Sequence, residues 1–252
     1  MLSPRHIAIT GASSGVGAAL ALAYASMGVI LSLHGRSGER LERIAALARA
    51  RGAEVGVRVG DVTDPKDMVA WIVERNDVAD IDLLVANAGI SGGTSRVEEM
   101  AAQTKAIFDT NVTGVFNTIH PALPLMMRRG RGQIAIVASL AGFRGFAGAS
   151  SYAASKAAVR IYGEGLRAEM APHGIEVNVI CPGFIKTPMT DINPFDMPFI
   201  MSPERAARII REGLARNCAR IAFPWQMYAF IRLLAALPQP LMDLIAERLP
   251  RK

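Results

Sequence analysis

The sequence predicts a three-layer α/β fold, in which a doubly wound, mostly parallel, seven-stranded sheet has helices on both faces. Short apolar runs rich in β-branched residues alternate with longer helix-periodic stretches along the whole chain. No Ser/Gly-rich linker, low-complexity tract or fixed-period repeat divides the 252 residues. We therefore expect one domain, with ligands bound where the strands end.

Seven apolar runs bounded by turn residues are the predicted strands. They cover residues 6–10, 29–34, 54–60, 81–87, 132–139, 175–183 and 220–224. Helical periodicity predicts helices over 16–27, 38–51, from about residue 64, 98–128 and 151–171. Asp64 followed by Pro65 is a typical helix start, and Gly52 and Gly174 are typical stops.

Composition disfavours several classes of site. The chain has 28 Lys+Arg and 22 Asp+Glu, a net charge of +6, but its basic residues are scattered without interleaved aromatics, which argues against nucleic-acid binding. The two cysteines, Cys181 and Cys218, have no paired spacing, and the four histidines have no metal-ligand spacing. We expect no metal, no secretory signal and a cytoplasmic location.

The first strand is followed by the glycine-rich turn TGASSGVG, residues 10–17, with glycines at 11, 15 and 17. Such a turn lets the backbone approach a pyrophosphate, and the helix that follows supplies amide donors and a positive dipole. The turn is equally compatible with a tight strand–helix connection, but its position after the first strand favours dinucleotide binding.

The second strand is followed by Arg36 and Ser37, where an acidic residue would favour NAD. A cation and a hydroxyl suit the 2′-phosphate of NADP. The alternative is that Arg36 is a solvated loop residue. We therefore predict NADP(H) in preference to NAD(H), with an NAD-linked enzyme as the alternative.

Other strand ends add candidates to the same edge of the sheet. Asp61 and Val62 could bracket an adenine edge, and Asn87-Ala88-Gly89 follow the fourth strand, although ordinary turn chemistry explains each equally well. Asn111 lies inside a predicted helix although Asn is a poor helix former, and such inconsistencies tend to mark function.

Tyr152 and Lys156 are four residues apart in a predicted helix and therefore share one face. The phenol has an ordinary pKa near 10, which is too high for efficient acid–base catalysis at neutral pH. A neighbouring ammonium and an oxidised nicotinamide would lower that pKa. By itself the pair is also compatible with ordinary surface residues.

The ordered set of motifs resembles the short-chain dehydrogenase/reductases, single-domain members of roughly 250 residues. The resemblance covers residues 5–224 and rests on TGASSGVG, Asp61-Val62, ANAG (86–89), Asn111, Ser139, Tyr152-Ala-Ala-Ser-Lys156, Pro182-Gly183 and Thr187. Ala86 departs from the asparagine that the family often has there, but Asn87 is retained. The resemblance implies a Rossmann dinucleotide-binding and catalytic domain over 1–224 and an apolar helical extension of it over 225–252.

The resemblance also implies roles for individual residues. Tyr152 would be the acid/base, Lys156 would hydrogen-bond the nicotinamide ribose, and Ser139 would hold the substrate oxygen. Asn111 would position a water for proton relay. The cofactor contacts expected from motif and resemblance together are Gly11, Ser13, Ser14, Gly15, Val16, Gly17, Arg36, Ser37, Asp61, Val62, Asn87, Ala88, Gly89, Tyr152, Lys156, Pro182, Gly183, Ile185 and Thr187.

The substrate is harder to predict than the cofactor. Residues 184–201 match the family's mobile substrate loop in position. Their apolar side chains could form a lid over the substrate or could simply pack the loop against the rest of the protein. Phe143, Arg144 and Phe146 are expected to line the pocket. Arg144 could bind an anionic substrate or could simply be solvated.

Three interpretations of the tail, residues 225–252, remain open. It could pack on its own subunit or on a partner subunit, lie on a membrane surface, or cover the active site.

These observations predict an NADP-preferring oxidoreductase that transfers a hydride between nicotinamide and a small-molecule carbonyl or secondary alcohol. Asn111, Ser139, Tyr152 and Lys156 are its predicted catalytic residues. A catalytically silent, dinucleotide-binding regulatory protein is the alternative from another class. The resemblance further implies a homodimer or homotetramer assembled through the helices at 98–128 and 151–171.

Overall fold

The computed structural model describes residues 3–92, 97–145, 147–191 and 196–241. The described residues form one seven-stranded parallel sheet in the order β3-β2-β1-β4-β5-β6-β7. Its strands are β1 (His6–Thr10), β2 (Ile30–Gly35), β3 (Glu54–Val59), β4 (Leu83–Ala86), β5 (Gly132–Val137), β6 (Ile175–Pro182) and β7 (Arg220–Phe223). The strand order reverses between β1 and β4, which creates the crevice where such sheets bind ligands.

Helices cover both faces of the sheet. They are α1 (Gly15–Tyr24), α2 (Gly38–Arg49), α3 (Pro65–Val78), α4 (Val97–Phe108), α5 (Gly114–Ile119), α6 (Ala122–Arg129), α7 (Ser150–Met170), α8 (Pro203–Ala215) and α9 (Trp225–Ala236). Side chains alternate between the two faces along each strand. In β1, Ile7 and Ile9 enter a core shared with α1, α2 and α8, whereas Ala8 enters the opposite core with α3 and α7.

The predicted fold class is confirmed, and each predicted strand lies within two residues of an observed one. The apolar strands are buried on both faces, which is why they read as continuous hydrophobic runs. The predicted helix start at Asp64 is also observed, because its carboxylate accepts hydrogen bonds from the amides of Lys66 and Asp67. The division of the chain at residue 224 remains a proposal.

The prediction of one long helix over 98–128 is wrong. A π-helical turn, Asp109–Thr113, separates α4 from α5, and His120-Pro121 separates α5 from α6. The buried Asn111 lies in the π-helical turn, and its side-chain amide bonds to both the N–H and the C=O of Ile90. These tertiary hydrogen bonds explain the helix irregularity that the poor helix former suggested.

Helix α8 was not predicted from the sequence, although it has a recognisable start. The hydroxyl of Ser202 accepts a hydrogen bond from the Arg205 amide at 3.3 Å, and Pro203 occupies the first helical position. Buried α8 residues, Ala206, Ala207, Ile210 and Leu214, join the core that also contains α1.

Helix α7 lies unusually close to the sheet because it has a glycine at the contact. A Cβ atom on the buried Gly163 would lie 2.7 Å from Val179 Cγ2 and 2.9 Å from Ile136 Cδ1. Gly165, two residues further along, is exposed and has open space around it. The close approach fixes the height of α7 above β5 and β6.

We expect Gly163→Ala to destabilise the fold, because the added methyl group overlaps β-branched side chains of the sheet. The expected loss is about 1–3 kcal/mol of unfolding free energy. Gly165→Ala is the matched control and should raise stability by up to about 1 kcal/mol through helix propensity. Urea unfolding of both variants measures the difference, and equal effects would show that α7 does not depend on this contact.

Candidate active site

The glycine-rich turn after β1 is fixed to the end of β4. The Nδ2 of Asn87 donates to the carbonyl oxygens of Thr10 at 2.9 Å and Gly11 at 3.2 Å. Gly11 has φ +66°, and a Cβ atom on Gly17 would lie 2.4 Å from the Gly11 carbonyl oxygen. The turn therefore needs glycine at both positions, and Asn87 holds it in place.

The N-terminus of α1 opens onto a cavity and has the donors that a pyrophosphate requires. Ser14 is the N-cap residue, and its side chain makes no capping hydrogen bond. The first amides of a helix have no partner within the helix, and the helix dipole makes this end positive. Ser13, Ser14, Gly15 and Val16 all line the cavity, so the residues present fit a dinucleotide phosphate.

This cavity, the cofactor cavity, measures about 260 Å³ and follows the carboxyl ends of the strands. Most of the predicted cofactor contacts line it. They are Gly11, Ser13, Ser14, Gly15, Val16, Arg36, Asp61, Val62, Asn87, Ala88, Gly89, Tyr152, Lys156, Pro182, Gly183, Ile185 and Thr187. Ser139 lies on the same surface.

Three predicted site residues lie outside this lining. Gly17 packs against Gly11 beneath the turn, and the Ser37 hydroxyl caps α2 by accepting a hydrogen bond from the Arg40 amide. Asn111 is buried, and its side chain bonds to Ile90 and, at 3.0 Å, to Ser155 Oγ. Its role in holding a water remains a prediction.

Sequence reasoning missed a second cation beside Arg36. Arg40, in the first turn of α2, lines the same cavity, and its spacing of four residues from Arg36 could have indicated this. The Nη1 of Arg36 lies 3.9 Å from Asp61 Oδ2, and the Arg36 side chain remains 65% exposed. This distance and exposure leave Arg36 available to a further anion.

Lys156 carries its amino group into the interior. The residue is 4% exposed, and its Nζ donates to the Val137 carbonyl at 2.9 Å and lies 5.9 Å from the centre of the Tyr152 ring. Burial disfavours the charged form and lowers the pKa of Lys156 to about 8, against a smaller opposing effect of Cys181.

Tyr152 and Ser139 face each other where the cofactor cavity ends. Burial raises the pKa of the Tyr152 phenol above its ordinary value, and its hydrogen bond with the Ser139 hydroxyl lowers it by less. The expected lowering by Lys156 and an oxidised nicotinamide is therefore not produced by the protein alone. Ser139 Oγ accepts a hydrogen bond from the Ala141 amide at 3.1 Å, which orients the hydroxyl.

A second space, the apolar cavity, joins the cofactor cavity at the catalytic candidates. It measures about 420 Å³, and both cavities share Ser139, Tyr152, Gly183, Met189 and Thr190. Helix α9 forms one of its walls through Gln226, Met227, Phe230, Ile231 and Leu234. The described part of the tail thus packs on its own subunit and borders the site, whereas residues 242–252 lie outside the described residues.

Two residues expected to line the substrate pocket are placed elsewhere, and that prediction is wrong for them. The Phe143 ring packs against the Arg160 guanidinium at 4.5 Å and the Tyr228 ring at 5.5 Å. The Nη2 of Arg144 donates to Gln239 Oε1 at 2.7 Å. Neither residue lines the apolar cavity, and Phe146 lies outside the described residues.

Neither a metal centre nor a membrane span is found in the described ranges. Their His, Cys, Asp and Glu residues form no group of three or more that could hold a metal ion. None of the helices in those ranges has the length and apolar character needed to cross a bilayer.

The sequence is similar to known oxidoreductases over most of its length. A family model described as short chain dehydrogenase matches residues 5–195. An uncharacterized oxidoreductase of Myxococcus xanthus is 39% identical over 249 residues, covering 98% of each chain. The 3-oxoacyl-(acyl-carrier-protein) reductase of Thermotoga maritima is 36% identical over 188 residues, covering 74% of this chain and 76% of that one.

A solved structure has a similar architecture. The short-chain dehydrogenase from Sphingobium yanoikuyae in complex with NADPH superimposes with a TM-score of 0.80 and 28% identity. The match covers 93% of this chain and 96% of that chain. The similarity therefore extends over most of the fold.

The lowered pKa of Lys156 predicts a specific pH dependence of stability. Between pH 8 and 10.5 the unfolded chain binds more protons at this lysine than the folded protein does, so the free energy of unfolding rises with pH. A pKa lowered from 10.5 to about 8 corresponds to a total rise of about 3 kcal/mol.

In Lys156→Met this contribution to the rise should be absent, because the uncharged side chain does not titrate. Urea unfolding of both proteins from pH 7 to 10.5, without added nucleotide, measures the difference. Parallel profiles would contradict the lowered pKa.

Proposed function

The chain belongs to the short-chain dehydrogenase family, and from that premise we propose that it uses NADP(H) to interconvert a carbonyl and a secondary alcohol. It is an NAD(P)-dependent oxidoreductase of CH–OH and C=O groups, which its family membership and its similarity to an oxidoreductase and a 3-oxoacyl reductase support. The observation that supports the proposed chemistry is that Ser139 and Tyr152 lie where the two cavities meet, with Lys156 beside them.

The bound dinucleotide supplies the hydride in reduction and accepts it in oxidation. A carbonyl that receives a hydride develops negative charge on oxygen, and the protein must donate a proton there. The Tyr152 phenol is protonated at neutral pH and can supply this proton. Burial raises its pKa, so the positive charges of Lys156 and of the cofactor must offset that rise for efficient proton transfer. The Ser139 hydroxyl donates a hydrogen bond to the same oxygen and holds it against Tyr152.

Lys156 stabilises the phenolate that remains after Tyr152 gives up its proton. Its amino group approaches the Tyr152 ring within a site of low polarity, where electrostatic interactions are stronger than in water. Asn111 completes the proposed proton path. A Cβ atom on Gly89 would lie 3.2 Å from both Asn111 Oδ1 and Lys156 Nζ, so both groups border the same space.

The preference for NADP(H) follows from the two arginines at the adenosine end of the cofactor cavity. Arg36 and Arg40 both line it and would donate charge-assisted hydrogen bonds to a 2′-phosphate. Asp61 lies close enough to Arg36 to offset part of its charge, but it does not form a close ion pair with it. The structurally similar Sphingobium enzyme was solved with NADPH.

We further propose a cytoplasmic homodimer or homotetramer assembled through the faces of α4–α6 and α7. The exposed side chains Met100 and Ile161 on α4 and α7 support this, as they would be covered by a partner. Free thiols at Cys181 and Cys218 are compatible with a reducing compartment.

We expect Tyr152→Phe to lower kcat by about 10²–10⁴-fold while NADPH still binds, because only the proton donor is removed. The matched control is Tyr162→Phe, on the same helix, whose hydroxyl contacts His120 Nε2 and borders neither cavity. NADPH oxidation with a reactive diketone measures turnover. Full activity in Tyr152→Phe would exclude Tyr152 as the acid/base.

Cofactor preference depends on Arg36 and Arg40 in this proposal. We expect Arg36→Ala and Arg40→Ala each to weaken NADPH binding by about tenfold, the loss of one charge-assisted hydrogen bond, with little change for NADH. Arg43→Ala, on the exposed side of α2, is the control. Titration followed by NADPH and NADH fluorescence gives both affinities. Equal losses for the two cofactors would contradict recognition of the 2′-phosphate.

A further inference from the structure

The apolar cavity is lined by hydrocarbon surface from three separate parts of the chain. The 3₁₀ helix after β5 contributes Leu140 and Ala141, and the segment after β6 contributes Phe184, Met189, Pro198 and Phe199. Helix α9 contributes Met227, Phe230, Ile231 and Leu234. A space with such walls binds hydrocarbon by removing apolar surface from water.

Few of the described residues that line this cavity are polar. The polar residues in its lining are Ser91, Ser139, Tyr152, Thr190, Asp196 and Gln226. Ser139 and Tyr152 mark the reacting end, and the Thr190 hydroxyl already donates to the Ile185 carbonyl at 2.7 Å. Asp196 and Gln226 are exposed to solvent. A ligand can therefore place one carbonyl at Ser139 and Tyr152, with hydrocarbon beyond it.

The charge distribution separates the two cavities. Arginines line the cofactor cavity, whereas the described lining of the apolar cavity contains no Lys, Arg or His. Its one described charged residue, Asp196, is negative and would repel an anion. Burying an unpaired carboxylate or phosphate in such surroundings is strongly unfavourable. The described lining therefore favours an uncharged group over an anion.

The outer end of the cavity has two aromatic side chains that are unusually exposed. Phe199 and Phe230 are 55% and 53% exposed, and both line the cavity. Phe199 has φ +58°, a left-handed conformation that is uncommon for a bulky residue and tends to occur at functional sites. An apolar ligand extending outwards would cover both rings.

The cavity volume limits the size of the group that it buries. If a methylene group is taken to occupy roughly the 30 Å³ that a water molecule occupies in the liquid, the volume of about 420 Å³ corresponds to about fourteen such groups. This volume lies within the usual range of small-molecule pockets.

From these observations we propose that the substrate is a ketone, or the corresponding secondary alcohol, that carries an uncharged hydrocarbon group of about a dozen atoms. The proposal rests on the proposed function, since the carbonyl must react at Tyr152. Helix α9 acts as the specificity wall, with Met227, Phe230 and Leu234 contacting the hydrocarbon.

The test is NADPH-dependent reduction of methyl ketones from four to fourteen carbons, and of the same ketones bearing a terminal carboxylate. Each added methylene should raise kcat/KM about three- to fourfold until the cavity is filled. At equal length the carboxylate should react at least tenfold more slowly. A rate independent of length, or faster reduction of the carboxylates, would overturn the inference without affecting the proposed function.

Variants of α9 test the wall directly. Leu234→Trp fills part of the cavity and should lower the ratio of kcat/KM for the longest ketone to kcat/KM for butanone at least tenfold. Leu233→Trp is the control, because Leu233 is 63% exposed and does not line the cavity. If Leu234→Trp does not fold, Phe230→Ala removes exposed wall surface and should also selectively reduce activity on long ketones. Unchanged length profiles would place the substrate elsewhere.

Calorimetry separates failure of this inference from failure of the proposed function. The ketone series is titrated into wild type and Tyr152→Phe, each with bound NADP⁺, which measures affinity without turnover. Affinity that rises with length in a protein that reduces no ketone supports the inference and overturns the proposed function. Affinity that does not change with length overturns the inference.

Discussion

The buried amino group of Lys156 constrains how helix α7 packs against the end of β5. It is held at the end of β5 by a hydrogen bond to the Val137 carbonyl, in surroundings that disfavour its charge. Helix α7 must lie very close to the sheet to place it there. Glycines permit this: a Cβ atom on Gly163 would overlap Val179, and one on Gly142 would lie 2.7 Å from the backbone of Lys156. The positions of Tyr152 and the end of β5 follow from this contact.

The two cavities meet at Tyr152 but have opposite chemical character. One has glycine backbone, a helix N-terminus and two arginines, which together suit an anionic dinucleotide. The other has hydrocarbon walls and no described cation, which suits an uncharged ligand. A charged cofactor and an apolar substrate can therefore occupy adjoining spaces without competing for the same groups, and their reacting ends are brought together where Ser139 and Tyr152 lie.

Local patterns predicted the fold because the central strands are buried on both faces and read as continuous apolar runs between helix-periodic stretches. The glycine turn was recognisable because Gly11 needs a positive φ and Gly17 lies against backbone. Asn111 showed the opposite effect. It is a poor helix former, and the helix changes to a π-helical turn where its side chain bonds to Ile90. The irregularity was visible in the sequence, but its partner was not.

The sequence by itself determined the fold, the family and the positions of the candidates at the strand ends. The repeat periods of strands and helices show where each element begins and ends, and therefore which residues follow each strand. Only the tertiary structure decided that Arg40 shares a cavity with Arg36, that Phe143 packs under Arg160, and that α9 forms a wall of the apolar cavity. These contacts form between segments that are far apart in the sequence, or they depend on the direction in which a loop turns. No local period encodes such distances, so the shape of the substrate space became visible only in three dimensions.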